Sequence, residues 1–265
     1  MTKDRSRRAR LGVLACLAVA ASLAATGCSS TTAPTDEIIY TAPPVTDVSA
    51  ATVAPKIDSI VITTSAPDNQ WSVTFKKPVV SGGSDAVVKK MNDAIIAKVN
   101  GYIHDFNGHE LPPVVAGSKP STLDGNFSIA IVSPTVLSLR FSVVTSLAGA
   151  DSLTIEPGSI TFWVPTGATI ALTDLVNDPK AALSTITKQA YNGLKADLGD
   201  VLTWNGKADS LSFFDAWDIN KDGLEFLWAR GKIAGLSAGS PAVTLPWANI
   251  KSIIRGDGPA AGFEK

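Results

Sequence analysis

Residues 136–164 read VLSLRFSVVTSLAGADSLTIEPGSITFWV, and this stretch decides the fold class. After Val136, Leu137, Leu139, Phe141 and Val143 fall at every second position, the period of a strand with one buried face. Ser146-Leu147-Ala148-Gly149-Ala150 is far too short for a helical crossover and reads as a tight hairpin connection. Leu153, Ile155, Ile160, Phe162 and Val164 then continue the sheet across an expected kink at Pro157-Gly158. Strands joined this way pair antiparallel.

The pattern extends upstream. Phe127, Ile129 and Ile131 alternate and supply the preceding strand. Ile57, Ile60 and Ile62, then Trp71, Val73 and Phe75 alternating with Ser72, Thr74 and Lys76, predict a first hairpin turned at Pro67-Asp68-Asn69. From an N-cap at Ser84, Val88, Met91, Ile95, Val99, Tyr102 and Phe106 recur at spacings of three and four, a helix that Asn107-Gly108 ends. Leu111–Ser121 is a loop.

Downstream, Pro165-Thr166-Gly167 turns the chain before Ile170–Leu175. A second helix is expected over Pro179–Leu198, with Leu183, Ile186, Ala190, Leu194 and Leu198 on its buried side and Pro179 in its first turn. Strands around Trp217–Ile219, Leu224–Trp228 and Val243–Leu245 follow, with Gly231–Gly239 as a loop and a short helix over Trp247–Ile254. The whole predicts an α+β fold: a mainly antiparallel sheet with two main packed helices. The domain is expected over residues 56–255, a smaller part at 56–110 and a larger one at 122–255, with a flexible tail at 256–265.

Before this core the chain has another character. Residues 1–10 carry Lys3, Arg5, Arg7, Arg8 and Arg10 against Asp4, and residues 11–27 carry no charge. A basic tip, a short apolar run and small residues at its end mark a signal peptide over residues 1–27. Ala25-Thr26-Gly27-Cys28 resembles the lipobox of bacterial lipoproteins, with Ala25 where the usual pattern has Leu. That resemblance implies cleavage before Cys28, acylation of its thiol (diacylglycerol and palmitate), and anchoring on the extracytoplasmic face of the cell membrane. Residues 28–55, rich in Ser, Thr, Ala and Pro, read as a flexible linker. The chain has only two cysteines, and Cys16 lies within the discarded segment. With Cys28 acylated, no thiol is left for a disulfide, a metal or covalent catalysis. Cleavage removes five bases and one acid from totals of 23 and 24, so the mature chain carries 18 and 23, a net −5. No basic block remains to suggest a nucleic-acid partner.

Few patterns carry chemistry. Asp218-Ile219-Asn220-Lys221-Asp222-Gly223 begins like a calcium loop, but Ala229 stands where the bidentate glutamate belongs, so a hairpin turn is expected. His104 and His109, beside Glu110, lack the spacing of a zinc centre, and neither a metal nor a cofactor is expected. Gly235-Leu236-Ser237-Ala238-Gly239 has the letters of a nucleophile elbow without the strand and helix around it or a histidine downstream. Asp151, Glu156, Asp174, Asp215, Asp218 and Glu225 could pair only if the fold brings them together. Most of the six tryptophans sit in apolar strand contexts that suit core packing. The alternative is a partly exposed groove, with Trp204, Trp217, Trp228 and Trp247 as the candidate ligand surface, where rigid amphipathic rings would meet a glycan, lipid or peptide.

Three motifs carry a resemblance across the C-terminal part: Phe162 through Gly167 to Leu175, Asp222-Gly223-Leu224-Glu225-Phe226, and Ala238-Gly239 through Val243 to Pro246-Trp247 and Ile250. They resemble the C-terminal domain shared by RsiV-type anti-sigma factors and secreted mycobacterial immunogenic proteins. The resemblance implies an extracytoplasmic domain, largely without assigned activity, whose best understood members bind lysozyme. Asp151 stands where members often carry a histidine, and no cytoplasmic segment precedes the signal, so an anti-sigma role does not carry over. The function expected is a lipid-anchored binding or envelope-associated domain without catalytic activity, its partner an envelope protein, glycan or lipid. The alternative is a hydrolase of wall polymers or lipids acting through carboxylates or Ser237.

Overall fold

The computed structural model describes residues 53–108 and 110–263. The expected signal segment, Cys28 and all but the last three residues of the expected linker lie outside them, as does His109.

The first half of the described chain builds one six-stranded sheet. Strands β1 (Lys56–Ser65) and β2 (Trp71–Ser81) form a hairpin. Asn69 takes the left-handed conformation in its turn, at φ 57°. Helix α1 (Asp85–Gly108) leads to β3 (Ser121–Val132), β4 (Val136–Ser146), β5 (Thr154–Trp163) and the short β6 (Ala168–Thr169). The strands lie side by side in chain order. Every pairing is antiparallel except β2 with β3, where α1 supplies the crossover that a parallel pair needs.

α1 covers one face of this sheet. Met91, Ile95, Val99 and Phe106 line its buried stripe and meet Phe75, Leu137, Leu139, Phe141 and Phe162 in a closed core. Asn92, just off that stripe, clamps the helix to β2: its Oδ1 accepts from the Val80 N–H and its Nδ2 donates to the Val80 carbonyl, both at 2.9 Å. β1 lies at the sheet edge, and Ile60 and Val61 stay 49% and 65% exposed. Its apolar residues therefore contribute less to the core than their alternation suggests.

Pro157-Gly158 makes no kink. β5 runs straight through it in register with Ser142 and Phe141 of β4. Proline is tolerated because β6 pairs only with Phe162 and Trp163, leaving this part of β5 with a neighbour on one side. Gly158 in turn leaves room for Tyr102 of α1, whose hydroxyl would sit 1.7 Å from any Cβ there.

The second half packs against the opposite face. After a helical turn, α2 (Leu172–Leu175), comes α3 (Pro179–Leu198). Asp178 caps α3 by accepting from the Lys180 and Ala181 N–H groups at 2.8 and 3.3 Å, and Pro179 takes the first position. The buried stripe of α3 is Ala182, Ile186, Ala190 and Leu194. Leu183 and Leu198, expected inside, are only partly buried at its border. The two alanines bring α3 close to a three-stranded antiparallel sheet of β7 (Trp217–Ile219), β8 (Gly223–Leu227) and β9 (Ala242–Pro246), and Gly193 comes against Val243 of β9. A helical turn, α4 (Trp247–Ile250), runs on into a one-turn 3-10 helix at Lys251–Ile253.

β7 joins the two halves. It is the outer strand of the small sheet, so the N–H groups of Trp217 and Ile219 have no strand partner on that side. Hydroxyls from the large sheet accept them: Ser159 takes Trp217 N–H at 2.9 Å and Ser138 takes Ile219 N–H at 3.2 Å. The Ser138 hydroxyl also lies 2.6 Å from that of Thr161. The stretch beyond Arg255, read from sequence as a tail, folds back: Ala260 is fully buried and the Phe263 ring stacks on Trp247 at 5.9 Å.

Gly125 of β3 faces Phe75 of β2 across the parallel pair, and a Cβ at Gly125 would lie 2.1 Å from that ring. Gly125→Ala is expected to destabilise by about 1–3 kcal/mol through overpacking, and a second change, Phe75→Leu, should recover part of the loss. Urea unfolding midpoints measure both, and an unchanged midpoint for Gly125→Ala would contradict the packing.

Candidate functional site

A cleft of about 690 Å³ lies between α3 and the loop 205–209. One face of α3 forms its wall, because Lys180, Ser184, Thr187, Lys188 and Tyr191 repeat at helical spacings of three and four. Asn205, Lys207 and Asp209 form the opposite lip. The loop is held shut from beneath: Trp204 Nε1 donates to the Lys207 carbonyl at 2.7 Å, and Lys207 N–H donates to Asn205 Oδ1 at 3.1 Å. Gly206, at φ 76°, lies flat on Tyr191, where a Cβ would come 2.9 Å from the ring. Lys180, Lys188 and Lys207 are exposed, and none forms an ion pair among the described residues. The Thr187 hydroxyl is buried without a hydrogen-bond partner.

A smaller cavity of about 260 Å³ lies beside the end of α1, between Tyr102, Phe106, Leu123 and Val143, with Asp105, Glu110 and Glu156 in its lining. Burial, with the charges of Glu156 and Asp215 adding, pushes the Tyr102 phenol above its ordinary value.

The four candidate tryptophans do not form a ligand surface. Trp217, Trp228 and Trp247 are 6%, 1% and 6% exposed and belong to the core. Trp228 packs among Phe213, Phe214 and Phe226, and Trp247 donates its Nε1 hydrogen to the Asn220 carbonyl at 3.3 Å. A large apolar ring gains more from burial than from a place at the surface. Trp204 is only partly buried: it stacks on Phe213 at 5.0 Å and meets Tyr191 edge-on at 5.9 Å. It thus supports the cleft loop from below.

Two of the six candidate acids do meet. Asp218 of β7 and Glu225 of β8 are register partners, and Arg140 of β4 lies between them. Arg140 Nε donates to Asp218 Oδ2 at 2.8 Å, and Nη2 reaches Asp218 Oδ2 at 2.7 Å and Glu225 Oε2 at 2.5 Å. Asn220 Nδ2 also donates to Glu225 Oε2, at 3.0 Å. The Asp218 side chain is fully buried. Burial pushes its carboxyl up to about 6 against the pull of Arg140, with the Glu225 charge adding to the rise. Neither oxygen pair lines either cavity. The cluster is an electrostatic clasp across the sheet junction.

The remaining acids stand apart. Asp174 Oδ2 accepts the Ala171 N–H at 2.8 Å, Asp215 lies 3.8 Å from Lys232 Nζ, Glu156 lines the smaller cavity and Asp151 is exposed. Ser237 is exposed on the one-turn helix Leu236–Ala238, and His104 is exposed on α1. The Asp218–Gly223 run forms the β7–β8 hairpin, its Asn220 Oδ1 accepting from Asp222 and Gly223 N–H at 2.9 and 3.0 Å. No group of three or more His, Cys, Asp or Glu able to hold a metal occurs among the described residues.

Comparison with known proteins identifies likeness of fold. Residues 173–248 match a family described as protein of unknown function (DUF3298). Two solved structures are similar. A DUF3298 family member from Bacteroides fragilis shares 15% identity, with 80% of this chain and 97% of that chain covered at a TM-score of 0.54. A DUF3298 family protein from Pseudomonas aeruginosa shares 11% identity, with 76% and 94% covered at a TM-score of 0.55. No curated protein matches the chain. These findings overturn the likeness to RsiV-type anti-sigma factors and mycobacterial immunogenic proteins. The three motifs behind it consist of packing positions. Gly167 abuts the Val87 carbonyl, Leu172 and Leu175 are buried, and Gly223 abuts the Leu245 carbonyl. Such residues report a fold and carry no information about a ligand.

Asp218 sets a pH signature. Because its folded value lies above the ordinary 3.8, its contribution to stability is complete below that value and is lost as pH rises through about 6. Arg140→Met is therefore expected to cost about 3 kcal/mol near pH 8, where an unpaired carboxylate stays buried, and less near pH 5, where Asp218 takes a proton. Urea unfolding at the two pH values measures this; equal losses would contradict the clasp.

Proposed function

We propose that this chain is a lipid-anchored binding domain on the extracytoplasmic face of the membrane, with the α3 cleft as its ligand seat and no catalytic activity. The anchor rests on the sequence of residues 1–28: a basic tip, an uncharged run and a lipobox-like Cys28. The residues up to the folded part would then give the domain reach above the bilayer. The single observation that carries the binding reading is the cleft itself. It presents hydroxyl, amide and amine groups from α3 and its facing loop beside the Tyr191 ring, and its lysines are not engaged by any acid among the described residues.

A binding role fits the arrangement better than the hydrolase alternative. The acids that meet, Asp218 and Glu225, share Arg140 and face neither cavity. A glycosidase needs two carboxyls flanking an open substrate position. Among the described residues no base is hydrogen-bonded to Ser237, and a serine nucleophile requires one.

Two outcomes are expected. Cys28→Ala should move the protein from the detergent phase to the aqueous phase on phase separation and remove the acyl mass from its N-terminal peptide. The full-length chain should be retained by isolated envelope material and release no soluble fragments from it. Tyr191→Ala together with Asn205→Ala should weaken that retention about tenfold, roughly 1.4 kcal/mol, while Ser237→Ala leaves it unchanged. Fragment release that Ser237→Ala abolishes would establish the hydrolase instead.

A further inference from the structure

We infer that the ligand of the α3 cleft is an extended polyanion, a chain carrying repeated negative charges and hydroxyl groups. This rests on the reading of the cleft as a ligand seat and adds the chemical class. Charge is the first argument. The cleft lining holds Lys180, Lys188 and Lys207 against Asp209, a net +2, whereas residues 28–265 as a whole carry 18 bases and 23 acids. A positive island on an acidic protein attracts anions and concentrates them locally.

Spacing is the second argument. Lys180 and Lys188 stand eight residues apart on one helix face, about 12 Å along the axis. That exceeds the screening length of about 8–10 Å at ordinary ionic strength. At that separation the two ammonium groups repel each other only weakly, so each is free to engage its own charge along an extended ligand. Lys207 adds a third charge from the opposite lip. A ligand that meets both lysines of α3 in this way runs along the cleft, parallel to the helix, with charges repeated over that distance of about 12 Å.

The remaining groups are those that recognise a hydroxylated chain. Ser184, Thr187, Asn192 and Asn205 offer donors and acceptors between the lysines. The Thr187 hydroxyl is buried and unpartnered at the wall. Tyr191, braced by Trp204 and partly covered by Gly206, adds an aromatic ring to the lining. Phosphodiester and uronate chains share this chemistry, and the two are separated by experiment.

Binding of the full-length chain, held in zwitterionic nanodiscs, is measured by calorimetry against poly(glycerol phosphate), polygalacturonate, inorganic phosphate and neutral dextran. One or both polyanions should bind, and the tighter one identifies phosphate or carboxylate as the charge recognised. Affinity should fall at least about tenfold between about 0.05 and 0.5 M salt, and inorganic phosphate and dextran should bind at least about a hundredfold more weakly. The double variant Lys180→Glu, Lys188→Glu should weaken polyanion binding at least about tenfold with an unchanged thermal midpoint, since both side chains are exposed. Equal affinity for dextran, no salt dependence, or indifference to the charge reversal would overturn the inference. If dextran binds and Tyr191→Ala abolishes it, the cleft is a ligand seat but the polyanion class is wrong. If no probe binds and envelope retention is also indifferent to Tyr191→Ala, both readings fall.

Discussion

The structure depends on how β7 is seated. A three-residue strand at the edge of a small sheet exposes N–H groups that its own sheet cannot satisfy, and β7 lies in the interior, against β3, β4 and β5. A buried, unpaired N–H costs about 1–3 kcal/mol, so the large sheet has to supply acceptors at the spacing of alternate strand residues. Ser159 and Ser138 do so for Trp217 and Ile219, and Arg140 supplies the matching cation for Asp218 between them. Once β7 is fixed, β8 and β9 follow by antiparallel pairing, and α3 packs on β9. The position of the cleft on α3 is thus set by hydroxyls on β4 and β5.

Charge is used in two ways. Arg140, Asp218 and Glu225 are drawn out of water and consumed in holding the sheets together; the cost of burying Asp218 appears in its raised pKa. The lysines of the cleft stay exposed and without acids to engage them among the described residues. The first arrangement stabilises and spends its charge internally, and the second leaves charge available to a ligand. The loop that carries Lys207 is rigid for a reason of packing: Trp204, wedged between Tyr191 and Phe213, holds its carbonyl.

Much of the fold was legible because periodicity reports burial directly. The alternation in Leu137–Val143 and the spacing of Met91, Ile95 and Val99 identify strand and helix wherever one face is apolar. Reading failed where the buried face is polar or small. Ser138 and Arg140 look like the solvent side of β4, yet they are the seat of β7. Ala182 marks the buried side of α3 better than Leu183 does, because close approach to β9 favours the smaller residue. Asn92 lies beside the helical stripe and gives no hydrophobic signal, although it clamps α1 to β2. The tryptophans admit both a core and a ligand-surface reading from sequence, and the size that suits a ring to a ligand also makes its burial favourable.

The sequence by itself determined the α+β class, the positions of the long elements and the paired character of the sheet, since each follows from local repetition of apolar residues. It also carries the N-terminal signature at Cys28, which is a matter of order along the chain. Only the tertiary structure decided which polar groups matter. Arg140 lies 78 residues from Asp218 and 85 from Glu225, and Lys207 lines the same cleft as Lys188. No local period records such meetings, because they are fixed by where β7 and α3 come to rest and by nothing in their own neighbourhoods.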